Sequence, residues 1–206
     1  MSAPAVLMGV NPGVLMGVES AVLMGVDIVE ADRLARAAER GGEVFARHVT
    51  TPAERAFGPG LAAFSVKESL IKAVGVRPPG FTWQDFEAVA DAPSGWPAGL
   101  LDEAAEELSA STGVSMTGGT TYAVRGASAR AALQQLRAGA KEAAGAARWG
   151  EGGGLFVSLA VVYAVDASLD ASLEASLEAT VEATVEATVE ATVEATVRVE
   201  EEGSPS

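Results

Sequence analysis

Repetition at both ends confines any ordinary globular fold in this chain to its middle. The pentad VLMGV recurs at residues 6–10, 14–18 and 22–26, and ASLE/ATVE tetrads run from 167-ASLD-170 to Val197. Each pentad is a short apolar strand pattern interrupted by Gly or Pro, and the third runs directly into Asp27. Such copies expose strand edge, an aggregation liability unless they pair in a sheet. The zone has no basic leader, and Pro4, Asn11, Pro12 and Gly13 break its apolar run, so it reads neither as a signal peptide nor as a bilayer span.

Extended, the tetrads put Ala and Val or Leu on one face and Ser or Thr with the acidic residue on the other. Wound as a helix, they stack like charges at i,i+4. Roughly thirty residues at ~3.3 Å each would reach ~100 Å, too long for one strand of a small domain. The tail therefore reads as a repeat expansion of a terminal strand, with a binding or solubilising tail as the alternative. The expected organisation is an apolar extension over 1–21, a domain over 22–165 and an acidic tail over 166–206.

Composition narrows the chemistry. The chain has 206 residues, no cysteine and a single histidine, His48. Disulfides, thiolate metal sites, thiol nucleophiles and multi-histidine metal sites are thereby excluded. Any metal must be held by carboxylate oxygens, which favours a hard cation such as magnesium. His48 has no acidic orienting partner nearby in sequence and reads as a partly exposed structural histidine. The net charge is −14, but residues 166–206 hold eleven acidic residues and one basic, and Glu19 is the one charge before Asp27, which leaves −3 for residues 27–165. Overall acidity argues against nonspecific nucleic-acid binding. Missing cysteine and targeting signals point to the cytoplasm, without a membrane partner.

Residues 28–40 show helical spacing that 41-GG-42 ends. A second helix is expected from near Leu61 until 77-RPPG-80 stops it, and 81-FTWQDFEAV-89 alternates like a strand. Residues 101–110 and 126–147 are Ala-rich and predicted helical, while 112–124 and 154–165 read as strands or a hairpin. Helices and strands without regular βαβ alternation predict an α+β fold.

The stretch 64-FSVKESLIKAVG-75 sets Lys67, Glu68 and Lys72 inside an apolar run. Buried charge is costly unless it is paired, metal-bound or used in chemistry. Glu68 and Lys72 share one helix face, whereas Lys67 points about 100° away from Glu68. Their spacing fits both an ordinary i,i+4 ion pair and a functional cluster.

Four segments, taken in order, resemble the holo-[acyl-carrier-protein] synthases of the 4'-phosphopantetheinyl transferase superfamily. They are 25-GVDIVEADRL-34 (G-x-D-I-x-E), 45-FARHVTTPAE-54 (ending T-P-x-E), 64-FSVKESLIKAVG-75 (F-A-A-K-E-A-x-x-K-A-x-G) followed by 82-TWQDFE-87, and 114-VSMTGGTTYAV-124 (V-S-L-S-H-x-x-x-Y-A-V). A rival for the last is 157-VSLAVVYA-164. The resemblance implies that family's fold, an antiparallel sheet packed against a long helix, here with repeat extensions at both ends. It also implies transfer of 4'-phosphopantetheine from coenzyme A to an acyl carrier protein serine, releasing 3',5'-ADP.

On that resemblance Asp27 and Glu68 hold a magnesium ion on the coenzyme A pyrophosphate, although Asp27 also has the sequence position of a helix N-cap. Lys72, with Lys67 beside it, neutralises phosphate charge, and Thr117 and Gly118 fall where coenzyme A is held. Glu68 or a metal-bound water takes the serine proton. Arg33 matches a position used for carrier docking, and with Arg36 and Arg40 it makes a basic stripe at i, i+3 and i+7 that suits an acidic partner, or a solvated helix face. The family forms trimers with sites between subunits. Three departures remove donors: Ala63 and His48 stand where the family has arginines, and Gly118 where it has histidine. They favour, as a second reading, a non-catalytic member that binds coenzyme A or a carrier protein.

Overall fold

The third VLMGV copy is an edge strand. In the computed structural model, which describes residues 22–57, 62–75, 77–136 and 140–165, β1 (Val22–Glu30) leads without a loop into α1 (Ala31–Val49). Helices α2 (Pro52–Phe57) and α3 (Ala62–Val74) follow, then a 3-10 turn (Trp83–Asp85) and β2 (Phe86–Val89). The remainder is α4 (Gly95–Thr112), β3 (Gly118–Val124), α5 (Gly126–Leu133) and a hairpin of β4 (Ala143–Gly152) and β5 (Leu155–Ala164). The first two VLMGV copies and the acidic tail lie outside the described residues.

The strands form one sheet in the order β1-β5-β4-β3-β2, with every neighbouring pair antiparallel. The α+β expectation is met, with one addition: both faces of the sheet are covered. Alternation explains how. Val22, Met24 and Val26 of β1, with Val157, Leu159 and Val161 of β5, pack on Leu100, Leu101, Ala104 and Leu108 of α4. The intervening positions face α3, where Ala147, Ala160 and Val162 meet Val66, Leu70, Ala73 and Val74. Being covered twice, β5 reads as a nearly unbroken apolar run.

Helix α3 crosses β1 very closely. A Cβ on Gly25 would lie 2.2 Å from the Ser69 carbonyl oxygen and 2.4 Å from the Ala73 nitrogen, so the glycine of the pentad is what lets the helix approach. The same closeness overturns one expectation. The Ala-rich segment 126–147 is not one helix: α5 ends at Leu133, and Ala143–Gly152 is a strand. A Cβ on Gly145 would sit 3.0 Å from Leu70 Cδ2, so β4 needs small residues under α3, and alanine's helix preference yields to packing.

Three boundaries also shift. Residues 81–89 include a 3-10 turn before a four-residue strand, and the strand expected from 112 begins only at Gly118, after α4 ends at Thr112 and Gly113 turns the chain. Gly42 (φ 49°, ψ −138°) interrupts α1 where 41-GG-42 predicted an end, but the helix resumes to Val49.

Candidate active site

The site lies where α3 passes over β1. Most of α3 is buried, and Phe64, Glu68 and Lys72, at i, i+4 and i+8, are half-buried along one stripe. Glu68 and Lys72 thus share a face as predicted, but each has another partner. Lys72 Nζ lies 3.0 Å from Asp27 Oδ1, and the Glu68 carboxylate accepts a 2.8 Å hydrogen bond from Arg77. Helix-surface spacing could not reveal this, because the competing partners come from β1 and from the segment after α3.

Asp27 is a strand residue whose side chain points at α3, and it makes no N-cap: α1 is preceded by Glu30. Its second oxygen, Oδ2, accepts a 2.6 Å hydrogen bond from Ser65 Oγ. Ser158, directly opposite Asp27 in the β1–β5 register, lies with its Oγ 2.9 Å from Ser65 Oγ and 2.8 Å from Ser69 Oγ. All three serines are sealed from solvent.

Burial pushes the Glu68 carboxyl above the usual glutamate range; the Arg77 guanidinium opposes this, the Asp27 charge adds to it, and Lys72 opposes it. The two carboxylates therefore sense one another. Arg77 is held in turn by aromatic faces, its guanidinium 5.7 Å from the Phe81 ring centre and 5.3 Å from that of Trp83. Trp83 stacks on Phe64 at 5.1 Å, so the aromatic positions of α3 and of the turn before β2 fix the cation that faces Glu68.

Lys67 is not a phosphate ligand in this arrangement. It points into the core, fully buried, and donates to the Val49 carbonyl and to Glu54 Oε2, both at 2.8 Å. Burial lowers its pKa, and the hydrogen bond and charge of Glu54 oppose that. Glu54 also accepts the Thr51 and Ala88 backbone N–H groups, while Thr51 Oγ1 accepts from the Glu54 N–H. This is a capping box on 51-TPAE-54, with Pro52 in the first helical position. The T-x-x-E spacing was the available signal for Glu54, and Ser158 stands in the rival motif 157-VSLAVVYA-164; nothing in sequence marked Arg77 or Ser65.

Thr117 and Gly118 are not beside Asp27. The transverse row runs Asp27, Ser158, Trp149, Gly118, so three strand spacings of ~4.8 Å put Gly118 roughly 14 Å away. The Trp149 indole covers it, 2.3 Å from where a Cβ would stand. Of the rival motifs it is 157-VSLAVVYA-164, in β5, that lies next to β1. Arg33, Arg36 and Arg40 are exposed on α1 before the Gly42 kink, with Arg36 4.0 Å from Asp32 and Arg40 Nε donating to the Arg36 carbonyl. His48 is exposed, in keeping with a surface role.

Among the described residues, no group of three or more Asp, Glu, His or Cys side chains converges, and no helix is long and apolar enough to cross a membrane. Asp27 and Glu68 supply hard oxygen donors, and a cation shared between them would relieve the repulsion that helps push Glu68 up. Its remaining ligands would have to be water or a substrate's own oxygens. The donor set thus fits a magnesium ion carried in with a phosphate-bearing molecule.

The fold is thus an α+β one in which two ion pairs, Lys72 with Asp27 and Arg77 with Glu68, stand side by side along α3. The model of the 4'-phosphopantetheinyl transferase superfamily, ACPS, matches residues 23–122. Three curated relatives are holo-[acyl-carrier-protein] synthases. That of Clavibacter sepedonicus is 44% identical over 90 residues, covering 43% of this chain and 73% of the relative. That of Solibacter usitatus is 38% identical over 97 residues, with 43% and 77% covered. That of Moorella thermoacetica is 38% identical over 96 residues, with 43% and 73% covered. A solved structure, the Chronobacterium ammoniagenes ACPS–CoA complex, aligns at 17% identity with a TM-score of 0.44, covering 71% of this chain and 100% of that one. The chain belongs to the 4'-phosphopantetheinyl transferase superfamily.

Proposed function

We propose that this chain is a holo-[acyl-carrier-protein] synthase that moves 4'-phosphopantetheine from coenzyme A to a serine of an acyl carrier protein, with magnesium held by Asp27 and Glu68. The observation that carries the reading is the meeting of Asp27, Glu68 and Lys72 where α3 crosses β1. The serine oxygen attacks the phosphorus that bears the pantetheine arm. The bond from that phosphorus to the bridging oxygen breaks, and 3',5'-ADP leaves.

When bound, magnesium would polarise the pyrophosphate and stabilise the departing charge. The chain's own groups do the rest. Lys72, half-exposed on the same stripe as Glu68, is able to turn from Asp27 to a phosphate oxygen. The serine proton goes to Glu68, which lies on the same stripe as Lys72, or to a water that the metal would hold. The exposed guanidinium stripe of Arg33, Arg36 and Arg40 suits an acidic carrier protein, whose approach it would steer. A cytoplasmic homotrimer with sites between subunits completes the reading, to be checked by sedimentation.

The test is mass spectrometry of a generic acyl carrier protein incubated with the purified chain, coenzyme A and magnesium, against a metal-free control. Addition of one phosphopantetheine group, dependent on the metal and lost in Glu68→Ala, is the expected result. Ala63 favours the second reading, a coenzyme A or carrier-binding module: it is buried at a position where the resembling motif has arginine, and it offers no donor. Coenzyme A binding without modification would select that reading.

A further inference from the structure

We infer that Ser65, Ser158 and Ser69 are positioning residues for Asp27: a buried hydroxyl chain that holds its Oδ2 oxygen and makes the cation affinity of that carboxylate depend on atoms substrate never touches. The inference rests on the reading of Asp27 as a cation ligand. The geometry sets the direction of every proton. An ionised carboxylate only accepts, so the single Ser65 proton goes to Asp27 Oδ2. Ser65 must then accept from Ser158, and Ser158, its proton spent, must accept from Ser69. The Ser65 and Val66 carbonyls, each 3.1 Å from Ser69 Oγ, compete for that last proton.

The hydroxyl chain keeps the carboxylate turned with Oδ2 held from behind, as hydrogen-bonded partners behind a metal ligand generally do. Lys72 cannot serve alone, because it holds the other oxygen and is itself needed at phosphate. The arrangement also separates positioning from folding. In Ser65→Ala, Ser158 turns its proton to Ser69 and Ser69 donates to its own helix carbonyls, so both remaining hydroxyls keep partners. Asp27 alone loses a donor.

The experiment is titration of Mn2+, a paramagnetic stand-in for magnesium, into the full chain saturated with coenzyme A, following free metal by electron paramagnetic resonance and recording thermal unfolding alongside. Ser65→Ala is expected to weaken Mn2+ binding roughly tenfold with little change in unfolding temperature. Ser158→Ala should weaken it less, Ser69→Ala least, and Asp27→Ala should abolish it. Unchanged affinity in Ser65→Ala, with binding still lost in Asp27→Ala, overturns the inference and leaves the proposed site standing. Absence of Mn2+ binding by the unaltered chain overturns both. An affinity loss that tracks a fall in unfolding temperature equally across the three serine variants assigns them to packing alone and also overturns it.

Discussion

The ammonium of Lys67 and the carboxylate of Glu54 lie 2.8 Å apart with both side chains fully sealed from solvent. The pair joins α3 to the capped start of α2, and through the Ala88 N–H it ties both to β2. Removing either member leaves the other charge buried and unpaired. Lys67→Ala and Glu54→Ala should each cost about 3–5 kcal/mol in chemical denaturation. Lys67→Met with Glu54→Gln should cost less than either single change. A double variant as damaged as the sum of the two would show that the charges do not act as a pair.

Glu68 gives a pH-dependent prediction with a definite sign. A carboxyl held above its ordinary range binds its proton more tightly folded than unfolded. Its contribution to stability is present below the ordinary glutamate range and is lost as pH rises through the raised folded value. Ionised Glu68 is therefore a net cost at neutral pH. Glu68→Gln should unfold at a higher temperature than the unaltered chain at about pH 7, and the difference should shrink toward pH ~4. It should also lose transferase turnover. Calorimetry at both pH values checks this: a lower unfolding temperature at pH 7 would mean that the Arg77 pair outweighs the burial.

Gly25 tests the crossing that builds the site. An added methyl would meet backbone atoms of α3, which cannot rotate away. Gly25→Ala should cost about 1–3 kcal/mol and displace α3 from β1, separating Lys72 from Asp27. Activity should fall further than the folded fraction does. The same change at Gly99, where a Cβ meets nothing within 4 Å, serves as the control. Equal effects at the two positions would rule out close approach as the reason for Gly25.

These residues show what a one-dimensional pattern carries. Asp27, Glu68 and Lys72 could be singled out because a short motif and an i,i+4 helix stripe are local facts, and the fold brings the three to one crossing. Their partners could not be: Ser158 reaches Asp27 by strand pairing, and Arg77 reaches Glu68 by a chain reversal that sequence presents only as a helix stop. Lys67 misled for the same reason, since a charge inside an apolar run looks alike whether it faces phosphate or a buried glutamate. The two similar short motifs could not be ranked for nearness to Asp27, because only the sheet order puts Ser158 beside it and Gly118 three strands away. The Ala-rich β4 was hidden because the need for small residues there arises from α3, some seventy positions earlier in the chain.

The basic stripe on α1 makes the last prediction. Arg33 is exposed and lies on the element that follows directly from Asp27's strand, so a carrier docked there is held next to the site. Contacts of this kind act mainly on association and are screened by salt. Arg33→Glu should therefore raise the KM for acyl carrier protein by about tenfold at low ionic strength, where each 1.4 kcal/mol is a factor of ten. It should leave kcat and coenzyme A binding nearly unchanged, and the gap from the unaltered chain should narrow as salt is added. Arg36→Glu removes a stripe position already 4.0 Å from Asp32 and should act more weakly. Steady-state kinetics across a salt series decides it: a KM for carrier indifferent to charge reversal at Arg33 would make the stripe an ordinary solvated face, and docking would have to be sought elsewhere on the surface beside Glu68.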